Sequence, residues 1–117
     1  MQYLVYSVGE TPETAAAPTP ELMVAMGKLV EDGRKAGVLV ATGALAQTGK
    51  RLKRQSGKFS LTDGPFIEAK ELLGGWAIIQ VKSLDEAVEW SKRFRNIVGD
   101  GESEIVQIFG PDDFSPA

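Results

Sequence analysis

Trp76-Ala77-Ile78-Ile79-Gln80-Val81-Lys82-Ser83-Leu84-Asp85-Glu86-Ala87-Val88 decides the fold, because its hydrophobic period changes in the middle. Up to Lys82 the period is two: Ala77, Ile79 and Val81 share one face of an extended segment, with Trp76, Ile78 and Gln80 opposite. At Ser83 the period lengthens. Ser83 followed by Glu86 is a capping box, in which the hydroxyl satisfies a free N–H of the first turn. Leu84, Ala87, Val88, Ser91 and Phe94 then recur at helical spacing as a buried stripe. The spacing predicts a strand over Trp76–Lys82 that runs directly into a helix.

The same signals repeat on either side. Gln2–Val8 reads as the first strand, with Leu4, Tyr6 and Val8 on one face and Tyr3 and Val5 on the other. Gly9–Pro18 is dense in Thr, Ala and Pro and reads as a loop. Thr19-Pro20-Glu21 opens a helix: an N-cap hydroxyl, a proline where no N–H is needed, and an acid facing the positive end of the dipole. Its stripe is Leu22, Met26, Leu29 and Val30, and Gly37 supplies the stop. Met23 and Met26 read as core residues, with pocket lining as the alternative. Val38–Ala41 is the second strand. Gly43, Gly49 and Gly57 punctuate hairpins ending at Lys58–Leu61, and Glu104–Phe109 is the last strand. Gly110–Ala117 is a tail suited to clasping a neighbour.

This order predicts an α+β fold over a single domain of residues 1–117, a ferredoxin-like sandwich with an added β-hairpin. Two helices cover one face of such a sheet, yet Gln2–Val8, Trp76–Lys82 and Glu104–Phe109 are apolar on both. A second copy of the chain is the economical cover, so a homodimer with facing sheets is expected.

Composition narrows the chemistry. The 117 residues contain no cysteine and no histidine. Disulfides, thiolate nucleophiles and Cys-based zinc sites are excluded, as are Ser-His systems and the usual neutral-pH base. A metal would rest on carboxylates alone, so neither metal nor cofactor is expected. The net charge of −3 argues against nucleic acid as a partner. No apolar run approaches the ~20 residues of a membrane helix, and the start lacks a basic secretory leader; the cytoplasm is the expected compartment.

The residues able to carry chemistry gather around Asp63-Gly64-Pro65-Phe66. Asp in a turn normally accepts from the N–H two residues on, but that residue is Pro65, which has none. Asp63 therefore accepts from Phe66, or from farther away, or faces a cleft. Glu68, Lys70 and Glu71 follow; convergence of Glu68 and Lys70 on Asp63 would let two carboxylates divide into acid and base, and a solvated charged face is the alternative. Gly74-Gly75 leads to Trp76, a flat surface with one N–H donor. Lys50-Arg51-Leu52-Lys53-Arg54 with Lys58 is the basic cluster, suited to an anion or to guarding a sheet edge.

The run Leu61-Thr62-Asp63-Gly64-Pro65-Phe66-Ile67-Glu68-Ala69-Lys70-Glu71-Leu72-Leu73-Gly74-Gly75-Trp76 resembles the DGPF stretch of the DGPF/YCII-related proteins. The likeness continues through Ile78–Ser83, Glu86–Trp90, Gln107–Phe109 and Asp113-Phe114. It implies a ferredoxin-like domain forming a dimeric α+β barrel, with a cleft near the DGPF turn of each subunit. It also implies two kinds of relative: enzymes using a His–Asp pair in that cleft, and proteins encoded beside alternative sigma factors of RNA polymerase. This chain lacks histidine, and carries Val106 where relatives often carry Arg.

The expected function is binding of a small molecule by Tyr6, Asp63, Phe66, Glu68, Lys70 and Trp76. One alternative is an isomerase- or lyase-type enzyme with Asp63 or Glu68 as acid/base. The other is a regulatory module associated with an alternative sigma factor.

Overall fold

Strand β1 (Gln2–Val8) lies at the centre of the sheet. The computed structural model describes residues 1–8, 19–45, 49–63 and 75–114. Helix α1 (Pro20–Lys35) follows, then β2 (Leu39–Ala44), β3 (Lys50–Gln55), β4 (Lys58–Asp63), β5 (Gly75–Gln80), α2 (Leu84–Val98), β6 (Glu102–Ile108) and one 3₁₀ turn at Pro111–Phe114. The main sheet has the order β2-β5-β1-β6 with antiparallel neighbours throughout. This is the split βαβ arrangement of a ferredoxin-like α+β fold. β3 and β4 stand apart as a sheet of two strands.

Local chemistry sets the element ends. Thr19 Oγ1 accepts from Leu22 N–H at 3.1 Å, and Ser83 Oγ from Glu86 N–H at 3.2 Å. The Glu86 carboxylate reaches one residue beyond the cap and accepts from Lys82 N–H at 3.0 Å. Gly37, at φ 72°, ends α1 in a Schellman motif: Val38 N–H returns to Gly33 O at 2.9 Å and Gly37 N–H to Arg34 O at 3.1 Å. Ser56 and Gly57, both at positive φ, close the β3–β4 hairpin with the turn whose twist matches its strands.

Both helices cover one face of the main sheet. Tyr3, Val5, Ile79 and Val81 are buried there with Val38 and Ala87, packed by Leu39, Ala77, Trp90 and Ile105. Gly33 lets α1 approach closely, since a Cβ built there would stand 3.1 Å from Leu39 Cβ and 3.9 Å from the Trp90 ring. Arg93 of α2 pairs with Asp32 of α1 at 2.7 Å and lies over the Trp90 ring. Two burial expectations need correction, Met23 as a core residue and Leu84 in the stripe of α2. Met23 is 65% exposed and Leu84 51%: Met23 lies about 100° round the helix from Leu22, and Leu84 is the first residue of α2. The second strand begins one residue later than expected, and bulges so that Val40 is left out of the pairing with β5.

Among the described residues, neither helix covers the opposite face. Gln2, Leu4, Tyr6 and Val8 point to it from β1, with Ile78 and Trp76 from β5 and Glu102, Glu104, Val106 and Ile108 from β6. The β3–β4 hairpin projects as an arm: the described residues have a radius of gyration of 16.9 Å, against about 13 Å for a compact domain of this length.

Candidate functional site

The register of the main sheet brings four residues into one row across all its strands. Glu104 of β6 lies opposite Tyr6 of β1, Tyr6 opposite Trp76 of β5, and Trp76 opposite Gly43 of β2. Directly opposed residues of antiparallel strands project to the same face, so the row lies on the open one. The Tyr6 hydroxyl donates to Glu104 Oε2 at 2.6 Å. That hydrogen bond, followed by desolvation and the Glu104 charge, holds the Tyr6 phenol above its usual value. Tyr6 thus keeps its proton and donates it in a hydrogen bond to the carboxylate.

Trp76 owes its position to Gly43. A Cβ at residue 43 would stand 3.1 Å from Trp76 Cζ2 and 3.4 Å from Nε1, so the indole occupies space that any other residue would fill. Thr42 Oγ1 donates to Trp76 O at 2.8 Å, tying the two strands at this point. Trp76 Nε1 is buried and has no hydrogen-bond partner among the described residues. The next row is apolar: Val106, Leu4, Ile78 and Ala41 lie in register beside the first. A flat aromatic, a phenol hydrogen-bonded to a carboxylate and an aliphatic wall therefore adjoin one another. This combination can hold a planar molecule and orient one polar group of it.

A cavity of about 90 Å³ lies between the helices and the sheet, with Val5, Met26, Leu29, Trp90 and Phe94 on its walls. Tyr6, Ser7, Thr42, Trp76 and Ser91 also border it; the Ser91 hydroxyl donates to Ala87 O and that of Thr42 to Trp76 O. Met26, half-buried, borders this cavity.

Of the residues expected at the site, the structure brings Tyr6 and Trp76 together. Asp63 ends β4, 80% exposed, and its carboxylate pairs with Lys50 Nζ across the hairpin. Among the described residues its donor is Lys50; Phe66, the nearer donor its turn allowed, lies outside them. Phe66, Glu68 and Lys70 lie outside the described residues. Among the described residues, no three metal-ligating side chains converge, and no helix is long and apolar enough to cross a membrane. Glu104 and Gly43 escaped the sequence reading as site residues. In the sequence Glu104 reads only as the first residue of the last strand, and which residues it meets is a matter of register.

A family model described as the YCII-related domain matches residues 1–111. The chain belongs to the YCII-related family. A YCII-related domain and an α+β ferredoxin-like fold thus coincide over almost the whole chain. Among curated proteins, an uncharacterised protein of Rhizobium meliloti (strain 1021) is 37% identical over 78 residues, 65% of this chain and 60% of that protein. Among solved structures, 5-chloro-2-hydroxyhydroquinone dehydrochlorinase of Burkholderia phenoliruptrix AC1100, in complex with 2,5-dihydroxybenzoquinone, is similar at a TM-score of 0.45 and 15% identity. That alignment covers 96% of this chain and 97% of the other.

Proposed function

We propose that this YCII-related domain binds a small planar molecule against the open face of its sheet, as a homodimer whose open faces are turned toward each other. The observation that carries the reading is the row itself: a carboxylate–phenol pair at 2.6 Å, in register with an indole seated over a glycine. In this reading Trp76 supplies the stacking surface. Glu104 and the Tyr6 oxygen accept from a hydroxyl or amine of the ligand. Phe66, Glu68 and Lys70 precede Trp76 by ten residues or fewer and are proposed as further walls, with Asp63 at the far end of their segment.

A second reading draws on the same pair. A phenol beside a carboxylate is a unit an isomerase or lyase can use beside a substrate oxygen: Tyr6 turns its O–H to the developing negative charge while Glu104 takes up the proton that the substrate loses. Asp63 and Glu68 are the alternative acid/base residues.

Thermal-shift screening against a metabolite library tests both readings. A hit on the parent protein is expected to be lost in Glu104→Gln and Trp76→Ala and kept in Asp63→Asn. Loss in Asp63→Asn alone would refute the row as the site and move it to the hairpin end. Conversion of the hit, followed by NMR, separates an enzyme from a binder.

A further inference from the structure

We infer that the β3–β4 hairpin is an exchange arm: its apolar face lies across the open sheet face of a second copy of this chain, placing Arg54 of one copy against Glu104 of the other. The inference builds on the homodimer in the proposed function and adds where the arm lies and what it contributes to the site.

An isolated hairpin of two strands is marginally stable in water and needs a surface to pack on. The β3–β4 register gives this one two unlike faces. Lys50, Leu52 and Arg54 project with Asp63, Leu61 and Phe59 on one side; Arg51, Lys53 and Gln55 project with Thr62, Ser60 and Lys58 on the other. The first side is apolar at its centre and lies open, with Leu52, Phe59 and Leu61 exposed by 65%, 67% and 62%. The chain has spent three large side chains on a face that none of its own described elements covers.

The main sheet shows the complementary lack. Its open face presents the Val106–Leu4–Ile78 row, flanked on the β6 side by Glu104 and Glu102. Dimensions agree: six residues of strand run about 20 Å, and the outer strands of a four-stranded sheet stand about 14 Å apart. Charge agrees as well. Residues 50–63 carry five cations, Lys50, Arg51, Lys53, Arg54 and Lys58, against the single acid Asp63, whereas β6 contributes Glu102 and Glu104 to the open face. Lys50 is committed to Asp63 at the base of the arm. Arg54 sits near the tip, on the apolar side, opposite Phe59. With Leu52, Leu61 and Phe59 along the apolar row, the tip reaches the edge strand β6, where Glu104 lies beside Tyr6 of β1. A two-fold axis makes the exchange reciprocal, so each site holds a guanidinium from the other subunit.

The chain has no cysteine, so disulfide trapping has no background. Arg54→Cys and Glu104→Cys are prepared separately, mixed and oxidised. A crosslinked dimer is expected in the mixture and in neither preparation alone. Light scattering at micromolar concentration is expected to give a dimer for the parent, and a monomer with unchanged circular dichroism for Phe59→Asp. A dimer without the mixed crosslink overturns the arm placement and leaves the facing sheets standing. A monomeric parent overturns both. Should Phe59→Asp not fold, the crosslink, made in chains with an unaltered apolar face, decides.

Discussion

Gly43→Ala is the substitution that separates the geometry of the site from the stability of the fold. A Cβ at residue 43 meets Trp76 Cζ2 at 3.1 Å and Cε2 at 3.4 Å, while relaxed carbon contacts begin at about 3.5 Å. The ring must therefore retreat by about half an ångström. It can do so cheaply, because Trp76 is only half-buried on an open face. Overpacking costs of about 1–3 kcal/mol apply in closed cores, and the low end is appropriate here. Against it stands a gain of about 0.4–1 kcal/mol, since residue 43 does not use a positive φ and alanine narrows the unfolded ensemble. The two nearly cancel, so urea denaturation should shift by no more than about 1 kcal/mol. Gly33→Ala has the same 3.1 Å contact with the opposite outcome, because Leu39 Cβ is fixed to the backbone of a packed strand. There about 1 kcal/mol of helix propensity is outweighed by overpacking, and melting should fall by about 4–8 °C per net kcal/mol. Affinity for a ligand found by the screen should drop about tenfold in Gly43→Ala, or ~1.4 kcal/mol. Loss of more than about 3 kcal/mol of stability in Gly43→Ala, or an unchanged affinity, would refute the claim that the glycine exists to seat the indole.

Two further outcomes follow from the charges. The Tyr6 phenol is held above its ordinary value by its hydrogen bond to Glu104, so the difference titration between the parent and Tyr6→Phe should show phenolate forming above pH ~10. By linkage the bond contributes to stability at pH values below the unfolded-state pKa and is lost as pH rises through the higher folded one; Glu104→Ala should lower the phenol midpoint, and no change would count against the pair. The Lys50–Asp63 pair is exposed on both sides, so Asp63→Asn should cost at most about 1 kcal/mol, and less in 1 M salt; a larger, salt-resistant loss would mean the carboxylate works at a buried site.

Much of the fold was legible because it rests on signals confined to a few neighbouring residues. Ser83 and Glu86, Thr19 and Pro20, and Gly37 mark helix ends through bonds three to five residues long. The alternation in Gln2–Val8 and Trp76–Gln80 separated the two sheet faces correctly, because strand periodicity needs no knowledge of the neighbours. The site obeys a different kind of rule. Glu104 and Tyr6 are 98 residues apart, and nothing local to either chooses the other. The register does that, through the hydrophobic match of β1 with β5 and β6, and a slip of one residue would turn every side chain to the other face. Asp63 shows the converse. Its neighbour Pro65 made it conspicuous, yet its partner Lys50 lies thirteen residues back and was chosen by the pairing of β3 with β4. That pairing also sends Leu52, Phe59 and Leu61 to one side of a hairpin with no third strand. Among the described residues, a row on an uncovered sheet face and an uncovered arm are thus consequences of two registers in one chain, and the proposed contact between copies is where they would be satisfied together.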